Sequence, residues 1–205
     1  MNELTADNLQ MWRGEQHVLR GIGAAVAGGE CLQITGGNGA GKTTLLRALC
    51  GLIPLEAGRI CWRGRDIGQD LAAFHAELNY LGHDNGLKAD LTAAENLRYA
   101  AALRRRVPAQ DIATAMARTG VAEAAGQLLR HLSAGQRRRV ALARLALTGG
   151  SLWVLDEPGS NLDASGHTLL LELIEAHLQS GGVAVVATHR VLDLAAAQLR
   201  SLTLQ

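Results

Sequence analysis

The residues most able to do chemistry in this chain of 205 residues lie in a glycine-rich loop. The loop matches the pattern G-x-x-x-x-G-K-[ST] and reads Gly36-Gly37-Asn38-Gly39-Ala40-Gly41-Lys42-Thr43, with Thr44 next in the chain. Glycines let successive backbone N–H groups surround phosphate oxygens, the Lys42 ammonium adds positive charge, and the Thr43 hydroxyl suits Mg²⁺. An apolar strand pattern precedes the loop and a helix pattern follows it, so the loop predicts a site for nucleotide phosphates and Mg²⁺.

Two carboxylates follow a run of apolar residues farther along the chain. The run from Leu152 to Leu155 is typical of a strand buried on both faces of a parallel sheet, and Asp156, Glu157 and Pro158 come directly after it. At that strand end we expect Asp156 to hold Mg²⁺ through its water shell and Glu157 to orient or deprotonate an attacking water. The alternative, two acidic residues that only cap a following helix, is weakened by Pro158.

One of the seven histidines stands at the end of a strand pattern. His189 follows the apolar residues Val183 to Ala187 and Thr188, beside the strand that is expected to carry the carboxylates. From there an imidazole can reach a γ-phosphate, so His189 is a candidate catalytic residue together with Glu157 and Lys42. Five others lack such placement and are expected to be solvated or structural: His17, His75, His131, His167 and His177.

A second candidate anion site is the pentapeptide Leu132-Ser133-Ala134-Gly135-Gln136, which opens a helix pattern. Ser133 offers a hydroxyl, Gly135 permits close approach of the backbone, and a helix N-terminus presents unpaired N–H groups and the positive end of its dipole. We therefore expect Ser133, Gly135 and Gln136 to contact nucleotide phosphate. The alternative is that Ser133 is only an N-cap and Gly135 only a turn residue.

Composition limits the architecture and the partners. With 205 residues and 48% hydrophobic content, the chain can bury one α/β core and a small helical subdomain. A net charge of +1 gives no general attraction to nucleic acid, and the basic runs at residues 104–106 and 137–139 are expected to be solvated helix faces. No apolar run approaches the roughly 20 residues of a membrane span, and no export signal opens the sequence, so a soluble cytosolic chain is expected. Three isolated cysteines indicate neither a disulfide framework nor a zinc or haem attachment site.

The remaining patterns place these motifs on elements. Two strand patterns joined by a turn at residues 13–15 predict an antiparallel flap at the N-terminus, and a short apolar segment at residues 80–82 predicts another core strand. A capping box at Thr92 and Glu95 opens a helix expected to reach about Arg106, and Pro108 opens a second one that ends at Gly120. The chain is predicted to be a single domain, 1–205, with a core of about residues 1–83 and 137–205 and a helical subdomain of about residues 84–136.

The motifs, taken in their order along the chain, resemble those of the nucleotide-binding subunits of ABC transporters, and the resemblance covers nearly the whole chain. Ser160-Asn161-Leu162-Asp163 matches the dimer-contacting D-loop of that family, and Thr188-His189 matches its switch. The resemblance implies an α/β P-loop NTPase fold of ABC type, with a mostly parallel core sheet, an antiparallel N-terminal β flap and a helical subdomain. It also implies ATP and Mg²⁺ as ligands, and two copies of the chain in a head-to-tail sandwich.

Two positions depart from the commonest pattern of that family. His83 stands where most members have a glutamine that meets Mg²⁺, and imidazole is a poorer magnesium ligand than an amide oxygen. We therefore expect His83 to act, if on the metal at all, through a water molecule. The family usually stacks an aromatic side chain on adenine near the N-terminus, and here the candidates are Trp12 and Arg13.

Segments outside the shared motifs resemble those of the bacterial cytochrome c biogenesis ATP-binding export proteins, also called haem exporter ATPases. They are Tyr80-Leu81-Gly82-His83, the stretch at residues 86–97, and the pentapeptide with the arginine-rich helix behind it. The resemblance implies a membrane-spanning permease subunit, a haem-handling membrane subunit, a small accessory subunit and, indirectly, a periplasmic haem chaperone as partners. It places the chain at the cytoplasmic face of the bacterial inner membrane, without nucleic acid as a partner.

Three other functions stay open at this point. An ATPase subunit of another ABC exporter, such as a lipoprotein-release system, is the main alternative, because sequence outside the motifs decides the client. A soluble ABC ATPase that acts on ribosomes would usually carry two modules and a charged linker. A DNA-repair ABC ATPase would need a long coiled-coil insertion, whereas about 90 residues separate the phosphate loop from the pentapeptide.

Overall fold

The computed structural model describes residues 2–104 and 106–204, and these form two compact units. The first unit contains the residues up to Tyr80, Gly150–Glu157, and the residues from Ile174 onward. The second contains Leu81–Gly149 and Pro158–Leu173. The phosphate loop and both strand ends with catalytic candidates therefore belong to the first unit, and the pentapeptide belongs to the second.

An antiparallel sheet forms the N-terminal part of the first unit. Strands are numbered in chain order, and this sheet has the order β2-β1-β4-β5, with β1 (Asn2–Arg13), β2 (Gln16–Ala27), β4 (Ala57–Trp62) and β5 (Arg65–Asp66). The pairing of β1 with β2 is antiparallel along their whole length. The predicted N-terminal flap is thus confirmed.

The second sheet of the first unit carries the candidate catalytic strands. Its order is β6-β7-β8-β3-β9, with β3 (Cys31–Gly36), β6 (Leu78–Leu81), β7 (Leu152–Asp156), β8 (Val183–Ala187) and β9 (Leu199–Leu204). The pairs β7 with β8, β8 with β3, and β3 with β9 are all parallel. Every residue of β7 and β8 is buried, as expected for strands covered on both faces.

Among the described residues, three α-helices belong wholly or partly to the first unit: α1 (Lys42–Leu49), α2 (Leu71–Glu77) and α6 (Ala164–Gln179). Helix α6 begins in the second unit, and a short 3₁₀ helix (Ile67–Gln69) precedes α2. Leu45, Leu46 and Leu49 of α1 are buried in a core shared with Val154 and Val185. This packing holds the start of α1, and with it Lys42, against the sheet. Burial also raises the pKa of the Cys31 and Cys50 thiols to about 12, and all three cysteines are free.

The second unit is mainly helical. Its helices are α3 (Ala93–Ala102), α4 (Ala109–Arg118) and α5 (Ala134–Thr148), and they share one apolar core that includes Leu97, Met116, Val140 and Leu147. Because α5 contributes to that core, the second unit takes in more of the chain than the predicted helical subdomain of residues 84–136. No helix among the described residues is long and apolar enough to cross a membrane.

The expected extent of α3 is wrong at its C-terminal end. The capping box is present, because the Thr92 side chain accepts from the Glu95 backbone and the Glu95 side chain accepts from the Thr92 backbone. The helix stops at Ala102 rather than near Arg106, since a tighter turn follows in which Arg104 N donates to Ala101 O. The first basic run therefore does not lie on this helix, and its middle residue, Arg105, is outside the described residues.

One histidine is part of the core of the first unit. The ring of His177 stacks on Trp153, with centroids 4.1 Å apart and an angle of 7° between the planes. Its Nε2 lies 3.1 Å from the Val183 carbonyl oxygen. Burial lowers the pKa of His177, against the opposing effect of the carbonyl oxygens of Val183 and Ser151. The neutral imidazole is thus the form that the fold favours.

We predict that acid destabilises the protein through His177. The unfolded chain binds a proton near the ordinary histidine pKa of about 6.5, whereas the folded chain resists it, so the free energy of unfolding falls as the pH drops below that value. Urea unfolding at several pH values between about 7 and 5 measures this slope. His177→Phe, which keeps an aromatic ring but cannot titrate, should reduce the slope, and His131→Gln at an exposed position should leave it unchanged.

Candidate nucleotide site

The phosphate loop joins the end of β3 to the start of α1. Gly41 precedes the helix with φ of 95°, and a Cβ on this residue would lie 2.9 Å from Val18 Cγ1. Only glycine fits this conformation and this contact, because L-residues with side chains rarely adopt positive φ and the flap strand leaves no room. Close contact with β2 therefore restricts the conformation of the loop at Gly41.

Lys42 and Thr43 reach in two directions from the first turn of α1. The buried Lys42 Nζ donates to the carbonyl oxygens of Gly36 and Gly37, at 2.8 and 2.9 Å. The Thr43 hydroxyl donates to Asp156 Oδ2 at 2.7 Å. Asp156 ends β7 and is itself buried, so two hard oxygen groups stand side by side at the base of the loop. That donor set fits Mg²⁺, which binds through one or two protein oxygens, waters and substrate phosphates.

Glu157 and His189 meet at the ends of the two neighbouring strands. Glu157 follows β7 with φ of 45°, a strained conformation for a residue with a side chain, and its backbone N–H donates to Ala187 O at 2.9 Å. Its Oε1 lies 3.3 Å from His189 Nε2. The structure therefore brings together Lys42, Thr43, Asp156, Glu157 and His189 in the first unit, as the sequence predicts.

Ser133 and Gln136 form a capping box at the start of α5 in the second unit. The Ser133 hydroxyl oxygen accepts from Gln136 N at 3.1 Å, and Gln136 Oε1 accepts from Ser133 N at 2.9 Å. Both side chains thus satisfy backbone groups of the helix terminus, which is the capping role weighed from the sequence. Gly135 has its own local reason, because a Cβ there would lie 2.9 Å from the carbonyl oxygen of Asn161 in the D-loop segment.

The D-loop segment ends in a network around Asp163. Asp163 Oδ1 accepts from Gly166 N at the start of α6, from the Ser165 hydroxyl, and from Arg139. These hydrogen bonds, first the one from the Gly166 backbone, lower the pKa of Asp163. Asn161 takes a left-handed conformation, with φ of 62°, between this network and Gly159. The segment is therefore held within the second unit by α5 and by the first turn of α6.

Arg138 was not expected from the sequence as a buried residue. It belongs to the second basic run, which was predicted to be a solvated helix face, but only 2% of Arg138 is exposed. Its guanidinium donates to Pro158 O at 2.9 Å, Gly82 O at 3.3 Å and Asn85 Oδ1 at 2.9 Å. The expectation of a solvated face is wrong here because three polar groups from neighbouring segments replace water around the cation.

The two weaker candidates lie at exposed positions. Trp12 is 48% exposed in the flap, and one face of its indole stacks on His17, with centroids 4.1 Å apart and an angle of 4° between the planes. Arg13 is also exposed. His83 follows Gly82 in the second unit with an exposed side chain. One face of Trp12 is thus covered by protein.

The fold and the phosphate loop together define an ATP-binding subunit of the ABC class, and comparison with known proteins agrees. The family model described as ABC transporter matches residues 19–160. A solved structure of the ATP-binding subunit of an ABC transporter has the same fold, with a TM-score of 0.88 at 24% identity over 98% of this chain and 85% of that one.

Two relatives that match nearly the whole chain narrow the assignment within the ABC class. A cytochrome c biogenesis ATP-binding export protein of Dechloromonas aromatica is 45% identical over 202 residues, which cover 98% of this chain and 99% of that protein. The protein of the same name in Albidiferax ferrireducens is 43% identical over 205 residues, covering 98% of this chain and 97% of that protein. The chain therefore belongs to the ABC transporter family, among its cytochrome c biogenesis ATP-binding export proteins, and is an ABC-type ATPase.

We predict that Arg138→Met destabilises the second unit by roughly 3 kcal/mol, because it leaves buried carbonyl oxygens without a donor at about 1–3 kcal/mol each. Urea unfolding followed by circular dichroism measures the loss. Arg118→Met, at an exposed position in the last turn of α4, is the matched control and should cost at most about 1 kcal/mol. Equal losses in both variants would contradict the structural role of Arg138.

Proposed function

We propose that this chain is the ATP-hydrolysing motor subunit of a membrane ABC complex for cytochrome c biogenesis, in which it drives haem export or release of a haem-loaded periplasmic chaperone. The observation that carries the catalytic part is the grouping of Lys42, Thr43, Asp156, Glu157 and His189 at one edge of the parallel sheet. The client is supported by the names of relatives that match nearly the whole chain.

In this proposal the phosphate loop, from Gly36 to Thr44, binds the phosphates of ATP. The Lys42 ammonium already points at the loop and exchanges the carbonyl oxygens of Gly36 and Gly37 for phosphate oxygens. Adenine stacks on the open face of Trp12. Both contacts belong to β2, in which His17 stacks on Trp12 and Val18 lies against the phosphate loop at Gly41.

Thr43 and Asp156 are the residues proposed to hold Mg²⁺. Thr43 contributes its hydroxyl directly, Asp156 acts through water, and His83 contributes at most through water. A bound Mg²⁺ would neutralise charge that develops on the β- and γ-phosphate oxygens. The Thr43 hydroxyl is positioned for this by its hydrogen bond to Asp156.

Glu157 and His189 are proposed to act on the attacking water and on the γ-phosphate. The Glu157 carboxylate orients the water and accepts its proton, while the His189 imidazole donates to a γ-phosphate oxygen. Their contact of 3.3 Å lets each fix the other before the nucleotide arrives. Burial of Asp156 beside them keeps this edge of the sheet rich in negative charge that needs a cation.

The proposal requires a second copy of the chain. Ser133, Gly135 and Gln136 open α5 in the second unit and would meet the γ-phosphate held by Lys42 of that copy, in a head-to-tail arrangement. The full chain acts as one nucleotide-binding domain. A membrane-spanning permease subunit, a haem-handling membrane subunit and a small accessory subunit would hold it at the cytoplasmic face of the inner membrane, with a periplasmic haem chaperone as an indirect partner.

We predict that Glu157→Gln keeps ATP binding but lowers turnover by roughly 10²-fold or more, because a positioned general base contributes that much. Lys42→Ala should instead weaken ATP binding itself. Phosphate release measures turnover, and equilibrium dialysis with ATP measures binding. The matched control is Glu172→Gln, an exposed acid on α6 that should change neither quantity. Turnover of Glu157→Gln at the wild-type rate would show that the base lies elsewhere.

The cellular part of the proposal predicts a maturation defect. In a strain whose only copy carries Lys42→Ala or Glu157→Gln, holo-cytochrome c should disappear while the haem-bound periplasmic chaperone accumulates, because haem transfer stalls after loading. Haem staining of periplasmic and membrane fractions measures both species. Normal c-type cytochromes in the Lys42→Ala strain would move the assignment to another exporter, such as a lipoprotein-release system, and the permease that co-purifies would identify it.

A further inference from the structure

We infer that Gln33 is a positioning residue that holds the loop carrying His189, an inference that rests on the catalytic role proposed for His189. Gln33 lies in the middle of β3, between strands β8 and β9, and only 3% of it is exposed. Its neighbours in the strand, Cys31, Leu32 and Ile34, are buried apolar residues. A primary amide in such a strand has to find hydrogen-bond partners or lose stability.

The partners of Gln33 are backbone groups of the loop that follows β8. Gln33 Nε2 donates to Arg190 O at 2.8 Å, and Gln33 Oε1 lies 3.5 Å from Leu192 N, which donates to it. One amide thus touches the backbone on both sides of Val191, which is 87% exposed, while Leu192 next to it is buried. The hydrogen bond to Arg190 O is the shorter of the two and is therefore the stronger one.

Other contacts fix the start of the same loop. Thr188 N donates to Ile34 O at 3.1 Å, which continues the pairing with β3. The Thr188 hydroxyl oxygen accepts from Arg190 N at 3.1 Å. The backbone is therefore held at Thr188 by the sheet and at Arg190 by Gln33, and His189 is the residue between these two points.

Because the backbone is held on both sides of His189, its exposed side chain can stay directed toward Glu157. The His189 side chain is 51% exposed, so packing does little to restrict it, yet its Nε2 lies 3.3 Å from Glu157 Oε1. Displacement of a reacting group by about 1 Å can lower a rate by about 10²-fold. A loop that is free beyond Thr188 would let the imidazole drift from Glu157, so the bond from Gln33 to Arg190 preserves the catalytic geometry.

A stabilising role alone explains this glutamine poorly. Leucine would suit the apolar strand, although it would leave Arg190 O and Leu192 N without this partner, at about 1–3 kcal/mol for a group that stays buried. Arg190 is exposed, so water can replace Gln33 at its carbonyl oxygen, whereas Leu192 is buried and loses only the longer bond of 3.5 Å. Stability and activity should therefore separate when Gln33 is replaced.

The test is a double-substitution cycle between Gln33 and His189 on the full chain with ATP. Gln33→Leu should lower kcat by about tenfold and leave KM for ATP within about twofold, since the loop acts on the transition state and not on ATP binding. Gln33→Glu should lower kcat as well, because a carboxylate cannot donate to Arg190 O. In a His189→Ala background, Gln33→Leu should have no further effect on kcat.

The matched control is Thr203→Val, which removes the contact of 3.0 Å between the hydroxyls of Thr35 in β3 and Thr203 in β9. This contact does not involve the loop that carries His189. Thr203→Val should keep the wild-type kcat. Circular dichroism melting of each variant separates loss of fold from loss of rate, and Gln33→Glu replaces Gln33→Leu in the cycle if the latter does not fold.

Three results would overturn the inference: an unchanged kcat in Gln33→Leu, a rise in KM in place of a fall in kcat, or effects of Gln33→Leu and His189→Ala that multiply fully in the double variant. An unchanged kcat in His189→Ala would overturn it too, because Gln33 would then have nothing to position. Lys42→Ala and Glu157→Gln distinguish these results from failure of the proposed ATPase site. When only the role of Gln33 is wrong, Glu157→Gln still lowers turnover and Lys42→Ala still weakens ATP binding.

Discussion

Parallel pairing of β3, β7 and β8 is the constraint on which the candidate site depends. Strands that run in one direction end at one edge of the sheet, so the phosphate loop after β3, the carboxylates after β7 and His189 after β8 emerge together. The bond from Thr43 to Asp156 joins two of these ends directly, and the contact between Glu157 and His189 joins the third. Residues more than a hundred positions apart in the chain thus meet because their strands share a direction.

Buried polar side chains then decide how the loops leave that edge. Gln33 meets the backbone beyond His189, and Arg138 meets the backbone of Pro158 and Gly82. Both groups would be costly inside the protein if they lacked partners, and both find those partners in loops. A polar group that is buried and satisfied by a loop fixes that loop more specifically than apolar contact would, because a hydrogen bond requires direction as well as distance.

Two of the four described non-glycine residues with positive φ follow the strand end that carries the proposed base, and the other two, Asn8 and Arg63, lie in the N-terminal sheet region. Glu157 and Asn161 both have positive φ although neither is glycine, and they lie four residues apart around Pro158. Such conformations cost about 1–3 kcal/mol each and persist only where the surroundings impose them. For Glu157 the surroundings include the bond from its N–H to Ala187 O, and the positive φ departs from the extended region that Pro158 favours for the residue before it. In this conformation Glu157 Oε1 lies 3.3 Å from His189 Nε2.

The sequence by itself determined the parts of this protein whose physics is local. The capping box at Thr92 and the apolar runs of β7 and β8 depend on neighbours within a few residues, and each was predicted correctly. The family membership follows from the same motifs in order. Three of the named helices and strands were not predicted: α2, β5 and β9. All three are short, and exposed residues interrupt the apolar patterns of α2 and β9.

Only the tertiary structure decided which polar residues are buried and what they hold. Arg138 stands between two other arginines, and nothing in that run distinguishes the buried cation from its neighbours until the segments at Gly82 and Pro158 fold around it. Gln33 left a signal, a lone amide within an apolar strand pattern, but its partners lie more than 150 residues away in the chain. Burial of a polar group depends on what other segments bring to it, and this is a property of the fold rather than of local sequence.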